Sequence, residues 1–110
     1  MKINQMNADE TVETEPGRRR RLIHTDSLMV VEWEFSGGPW ERPDPPHTHP
    51  HEQVTYIVTG EVEYHLGDER QRMGAGDMVA VPPDAPHCIQ LLSDSVRLID
   101  AFTPLREEFI

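Results

Sequence analysis

Residues 46–60 read PHTHPHEQVTYIVTG and hold three of the chain's six histidines, His47, His49 and His51. Alternate residues of an extended chain project to the same side, so His47 and His49 on a strand can reach one small cation. On a helix the matching spacing would be three or four residues. Pro43, Pro45, Pro46 and Pro50 argue against a helix here. Gln53 opens a run rich in β-branched residues that stops at Gly60, which reads as a strand and its turn. The stretch therefore predicts a metal site carried on a β-strand.

Outward from it, the same period-two pattern recurs. Leu28–Phe35 places Val31, Trp33 and Phe35 on one face and Val30, Glu32 and Glu34 on the other. Val62, Tyr64 and Leu66 alternate with Glu61, Glu63 and His65 before a Gly67-Asp68 hairpin turn into 69–73. Gly74 to Asp77 turns again into Met78–Val81, ended by Pro82-Pro83; 86–92 and 96–102 complete about eight strands. That spacing predicts an all-β sandwich or closed barrel, with no internal repeat and no second domain. The boundaries expected are a flexible N-terminal arm at 1–21 and a barrel at 22–110. Residues 1–17 are polar and aperiodic, and Arg18–Arg21 reads as a solvated strand edge that discourages sheet-to-sheet pairing.

The formal net charge of −10 argues against nucleic acid as a partner. Residues 1–21 hold five basic and four acidic side chains, whereas 22–110 hold five arginines against sixteen acids. An anionic ligand would thus be repelled at long range. Screening over about 8 Å leaves a metal or a single Arg to decide binding. No apolar run reaches membrane-spanning length, no signal-peptide pattern is visible, and Cys88 is the one cysteine. The expectation is a cytoplasmic protein without an internal disulfide.

A third ligand should come from a distant strand, and His87 is the candidate, placed after the rigid corner 82–86 (PPDAP). The two segments together resemble the paired motifs of the cupins, G(x)5HxH(x)3–4E(x)6G and G(x)5PxG(x)2H(x)3N. His47 and His49 fill the HxH, Gly60 closes the first motif, and Gly76, Pro82 and His87 match the second. The resemblance spans 27–104 and implies a cupin double-stranded β-helix, or jelly-roll barrel. Four positions depart from it: Gln53 stands for Glu, Glu41 for the opening Gly, Asp84 for the middle Gly and Leu91 for Asn. Three neutral imidazoles and an amide carbonyl would leave a divalent ion its full charge and favour Lewis-acid chemistry. The donors fit Zn, Ni, Mn, Fe or Co. His51 is expected at the rim and Glu52 in solvent, with either a rival to Gln53 as fourth ligand. Cys88 is expected to face away as a core thiol.

In the tail, Leu98, Asp100 and Phe102 share a face by strand parity, which would bury a carboxylate and raise its pKa. A strand-end Asp bonded to backbone or to an Arg fits the sequence equally well. The combination HTHPHEQ, YIVTGEVEY, VPPDAPH and DAFTPLREEF is similar to the small single-domain cupins of pectin and alginate breakdown. Those proteins convert 4,5-unsaturated monouronates to linear keto sugars. The resemblance implies metal ligands His47, His49, Gln53 and His87, a catalytic Asp100 with Phe102 and Arg106, a small anionic sugar as substrate, and a homodimer with a contact around 22–35. A cupin dioxygenase or lyase, or a non-catalytic sugar-binding cupin, are the alternatives.

Overall fold

The computed structural model describes residues 1–6 and 10–110. Nine strands follow in order: β1 (Val12–Glu15), β2 (Arg18–His24), β3 (Met29–Phe35), β4 (Glu52–Thr59), β5 (Glu61–Leu66), β6 (Glu69–Gly74), β7 (Met78–Val81), β8 (His87–Leu91) and β9 (Val96–Thr103). A 3-10 turn, Glu107–Phe109, follows β9. Six strands form one sheet in the order β1-β2-β3-β9-β4-β7 and three form the other, β6-β5-β8; every pairing is antiparallel. This all-β arrangement is the cupin barrel expected from the paired motifs.

The N-terminal boundary needs correction. Within the expected arm, Val12–Glu15 and Arg18–Arg21 are strand, and β2 runs through the 21/22 boundary to pair with β3 from Arg18↔Phe35 to His24↔Met29. Residues 7–9 of that arm lie outside the described residues. Nor is Arg18–Arg21 an edge, because β1 pairs beyond it. Four consecutive arginines hide the period-two signal, since both faces carry the same residue type. The partners across the pair reveal it: Arg18, Arg20 and Leu22 sit opposite Phe35, Trp33 and Val31 on the inner face.

The core lies between the sheets and comprises Phe35, Ile57, Val62, Tyr64, Met73, Val81, Leu91, Val96 and Leu98. A satellite of Met29, Val31 and Phe102 extends it toward the tail. Strand β9 buries Val96, Leu98, Asp100 and Phe102 and leaves the residues between them half-buried. Slipping β9 by one residue would expose three large apolar side chains at about 2 kcal/mol each. That loss rivals the whole stability of a typical domain, so the register is fixed and Asp100 is carried inward with its apolar neighbours.

Two backbone positions place the turns. Gly60 has φ +87°, and a Cβ there would stand 2.3 Å from the Ser95 carbonyl oxygen. Asp84 has φ 63°, so the residue that replaces the motif's glycine still adopts the left-handed conformation that Asp tolerates better than most. Its N–H donates to the His49 carbonyl at 2.8 Å, tying the 82–86 corner to the histidine segment. Gly60→Ala should lower the unfolding free energy by about 3 kcal/mol, combining backbone strain with the clash. Gly67→Ala, also at positive φ but with nothing within 4 Å of its Cβ, should cost only about 1 kcal/mol. Denaturant titration of both variants checks the difference.

Candidate metal centre and its cavity

The site begins with a backbone contact. His47 and His87 form an isolated antiparallel bridge, donating N–H bonds to each other's carbonyls at 3.1 and 3.0 Å. Residues directly opposed in this way project to the same side, and the two rings lie with centroids 4.2 Å apart. His49, two residues on, brings its ring to 4.8 Å from that of His87. One nitrogen from each of His47, His49 and His87 falls within a 4.8 Å cluster, and these three can hold a metal ion.

The protonation pattern fits a cation. His87 Nδ1 is 2.8 Å from the Ala85 carbonyl. A carbonyl only accepts, so Nδ1 carries the hydrogen and Nε2 keeps its lone pair. That Nε2 is buried and has no hydrogen-bond partner. An unpartnered buried nitrogen costs about 1–3 kcal/mol, which coordination would recover. All three imidazoles are held neutral. Desolvation first, then the like charge that His87 would carry if protonated, then Arg106, push His47 down to about 4. Burial and Arg106 likewise lower His49 and His87.

Gln53, on β4, stands beside the three histidines. Its Oε1 lies 2.9 Å from His49 Nε2, on the side of the histidine cluster. Its Nε2 points the other way, donating to Thr55 Oγ1 at 3.0 Å, Asp100 Oδ1 at 3.3 Å and the Tyr64 hydroxyl at 3.4 Å. The amide thus offers an oxygen to the histidines and an N–H to a carboxylate. A Glu here would set two carboxylates side by side. Of the rival ligands, Glu52 is exposed on the opposite face of β4. His51 stands outside the three-histidine cluster, with Nε2 donating to the Leu105 carbonyl at 3.0 Å.

Asp100 is only 8 % exposed. Its Oδ1 accepts a 2.6 Å bond from Thr55 Oγ1. Burial raises its pKa to about 6, with Thr55, Arg106 and Gln53 pulling against the rise. Asp100 therefore pairs with side chains of the site, and the reading of it as a strand-end residue bonded to backbone is set aside. Phe102, next inward on β9, packs edge-on to His49 at 5.6 Å and to His51 at 6.3 Å. Arg106 leaves β9 behind and reaches over Phe102 and Phe109, 5.2 and 4.3 Å from their ring centres. Its Nε donates to Glu108 at 2.7 Å.

A cavity of about 150 Å³ joins these groups; His47, His87, Gln53, Thr55, Asp100 and Arg106 line it. All seven residues singled out from the sequence meet in one place, six of them around this cavity or its histidine cluster and Phe102 packed beneath. Thr55, Tyr64, Arg18, Asp44 and Phe109 also line it and were not anticipated. Thr55 had a readable signal, since it shares the face of Gln53 on β4. Cys88 is buried at 4 % exposure, as expected of a core thiol, and sits opposite His65 in the strand register while also bordering the cavity.

The Cupin domain family matches residues 31–102. The pectin degradation protein KdgF of Dickeya dadantii (strain 3937) is 30% identical over 106 residues, which cover 93% of this chain and 94% of that protein. Among solved structures, an RmlC-like cupin from Shewanella frigidimarina superposes with a TM-score of 0.87 at 30% identity, over 97% of this chain and 94% of that one. KdgF from Halomonas sp. gives a TM-score of 0.86 at 30% identity over 96% of each chain. Among the described residues no helix is long and apolar enough to cross a membrane.

Added Zn, Ni, Mn, Fe or Co ions should raise the melting temperature of chelator-treated protein. His87→Ala should reduce bound metal, read by elemental analysis, by about tenfold or more at equal free ion. Wild-type metal content in that variant would remove His87 from the site.

Proposed function

The chain belongs to the cupin family, and we propose that it converts 4,5-unsaturated monouronates into their linear keto forms with the help of a divalent transition metal. The observation that carries the reading is Gln53, which links His49 to Asp100 through opposite ends of one amide. A cation site and a buried acid are thereby held a few ångströms apart on one cavity wall. The 30% identity to a pectin degradation protein over 93% of the chain supports the setting.

The residues supply what the reaction needs. An unsaturated uronate is a cyclic enol ether with a carboxylate beside the double bond. Linearisation removes the proton of the anomeric hydroxyl as the bond from the anomeric carbon to the ring oxygen breaks. The ring oxygen keeps that electron pair as an enolate, and a proton added to the neighbouring unsaturated carbon turns the enolate into a ketone. One proton leaves and one arrives, so no oxidant or reductant is required. Asp100 suits the shuttle: as a carboxylate it accepts from Thr55 and can take the first proton, and its raised pKa lets it return one. Arg106 lines the cavity and offers a guanidinium for the substrate carboxylate. Phe102, buried behind the histidines, packs edge-on against His49 and keeps water from that side of the ring. His47, His49, Gln53 and His87 would hold the metal, which when bound supplies Lewis-acid stabilisation of negative charge on oxygen.

A homodimer belongs to the same reading. The outer face of the large sheet carries an apolar row across five strands, Ile23–Val30–Ala101–Val54–Ala80. Exposed Tyr56 and Met78 lie beside it. Val54→Glu should shift the sedimentation coefficient from dimer to monomer; a wild-type monomer would end that part of the reading.

Metal-loaded protein should consume the unsaturated-sugar absorbance faster than buffer near neutral pH, and Asp100→Asn should lower kcat about 10²–10⁴-fold. Because the resting carboxylate must accept a proton, kcat/KM should fall as pH drops through about 6. A cation beside Gln53 would draw that midpoint lower, and Asp100→Asn should abolish the limb. Full activity in Asp100→Asn would exclude the proposed proton shuttle.

A further inference from the structure

The arginine run remains unused by the site as described. Its inner-face member Arg18 lines the cavity together with Asp44. Their side chains are joined at two points: Nη2 to Oδ1 at 2.7 Å and Nη1 to Oδ2 at 2.9 Å. The guanidinium is braced by two rings, 4.9 Å from that of Trp40 and 5.7 Å from that of Phe35. Asp44 is fixed as well: its N–H donates to the Ile89 carbonyl at 3.0 Å, and two prolines follow it. Neither group is sealed off, the side chains being 28 and 30 % exposed. The pair is rigid, partly accessible and beside His47.

We propose that Arg18 and Asp44, locked as an ion pair, form a second recognition point in the cavity that binds ring hydroxyls of the sugar while Arg106 takes its carboxylate. This rests on the uronate reading and names the part of the sugar that reading leaves unassigned. The two-point bond to Asp44 cancels the charge of Arg18, so a second carboxylate or a phosphate placed here would face Asp44 uncompensated. Unused N–H groups of the guanidinium and unused lone pairs of the carboxylate stand next to each other. A hydroxyl both donates and accepts and matches such a pair, as an anion does not. Bracing by the two rings means that little side-chain freedom is lost on binding. The cavity thus selects a polyhydroxylated ligand with one negative charge.

The test is a preference that a merely structural clamp would not move. Galacturonate, which no ring opening of this kind consumes, and a monodeoxy analogue of it are titrated calorimetrically into metal-loaded protein. The unsaturated monouronate is assayed for turnover in parallel. Wild type should favour galacturonate over the deoxy analogue by about ten- to a hundredfold. The apolar pair Arg18→Met with Asp44→Leu should reduce that preference to about twofold or less while binding the deoxy analogue as wild type does. An equal loss for both sugars, an unchanged preference, or no sugar binding in wild type would overturn the assignment. Hydroxyl-dependent binding without turnover of the unsaturated sugar would instead retain the recognition point and sink the proposed reaction. Should the double variant fail to fold, Asp44→Asn leaves Arg18 with only the exposed Glu15, 3.8 Å from its Nε, as counter-charge. It should then shift preference from galacturonate toward the diacid galactarate about tenfold or more, and an unshifted preference would also overturn the assignment.

Discussion

Two backbone hydrogen bonds between His47 and His87 hold the site together. They join segments forty residues apart in the chain and set their side chains on one side of the pairing. Everything metal-directed follows from that geometry. The left-handed turn at Asp84 reinforces it, because its N–H reaches the His49 carbonyl. The second histidine of the first segment is thereby fixed by the corner that also delivers His87.

Beside this frame, the balance of charge around Gln53 decides what the cavity can do. A neutral amide lets one residue face a cation site and a carboxylate at once. Asp100 then feels burial more than it feels its hydrogen bonds, and its pKa rises to about 6. Arg106 acts in the opposite sense on the imidazoles, helping to keep them neutral. The acid and the ligands are poised by the same few groups, so the chemistry of one cannot be altered without touching the other.

Much of this was legible in the residues. The alternation in β3, β5 and β9 predicts their inner faces, and the bounds of β5 and β7 agree with those expected. The paired motifs bring His87 to His47 and His49, which spacing alone could only make a candidate. What the sequence conceals has physical causes. Four like residues carry no period, so β2 is invisible as an alternating strand even though Arg18 and Arg20 face inward. β1 is four exposed residues whose pairing is specified by its neighbour rather than by its own pattern. Cys88 lies beside His87 in the sequence, yet both are buried and both line the cavity. The Arg18–Asp44 pair joins residues 26 apart by side chains alone, a contact no local pattern announces.

The net charge of −10 acquires a meaning once the cavity is known. Repulsion from an acidic exterior grows with the number of charges on the approaching molecule, whereas the cavity offers one guanidinium not cancelled by a two-point carboxylate bond, Arg106, near the histidine cluster. For the proposed sugar, a monomer meets that repulsion once and is compensated inside. A polyuronate fragment meets it at every unit and is compensated at one. The surface would then act as a sieve for degree of polymerisation, working by valence where the small cavity works by size.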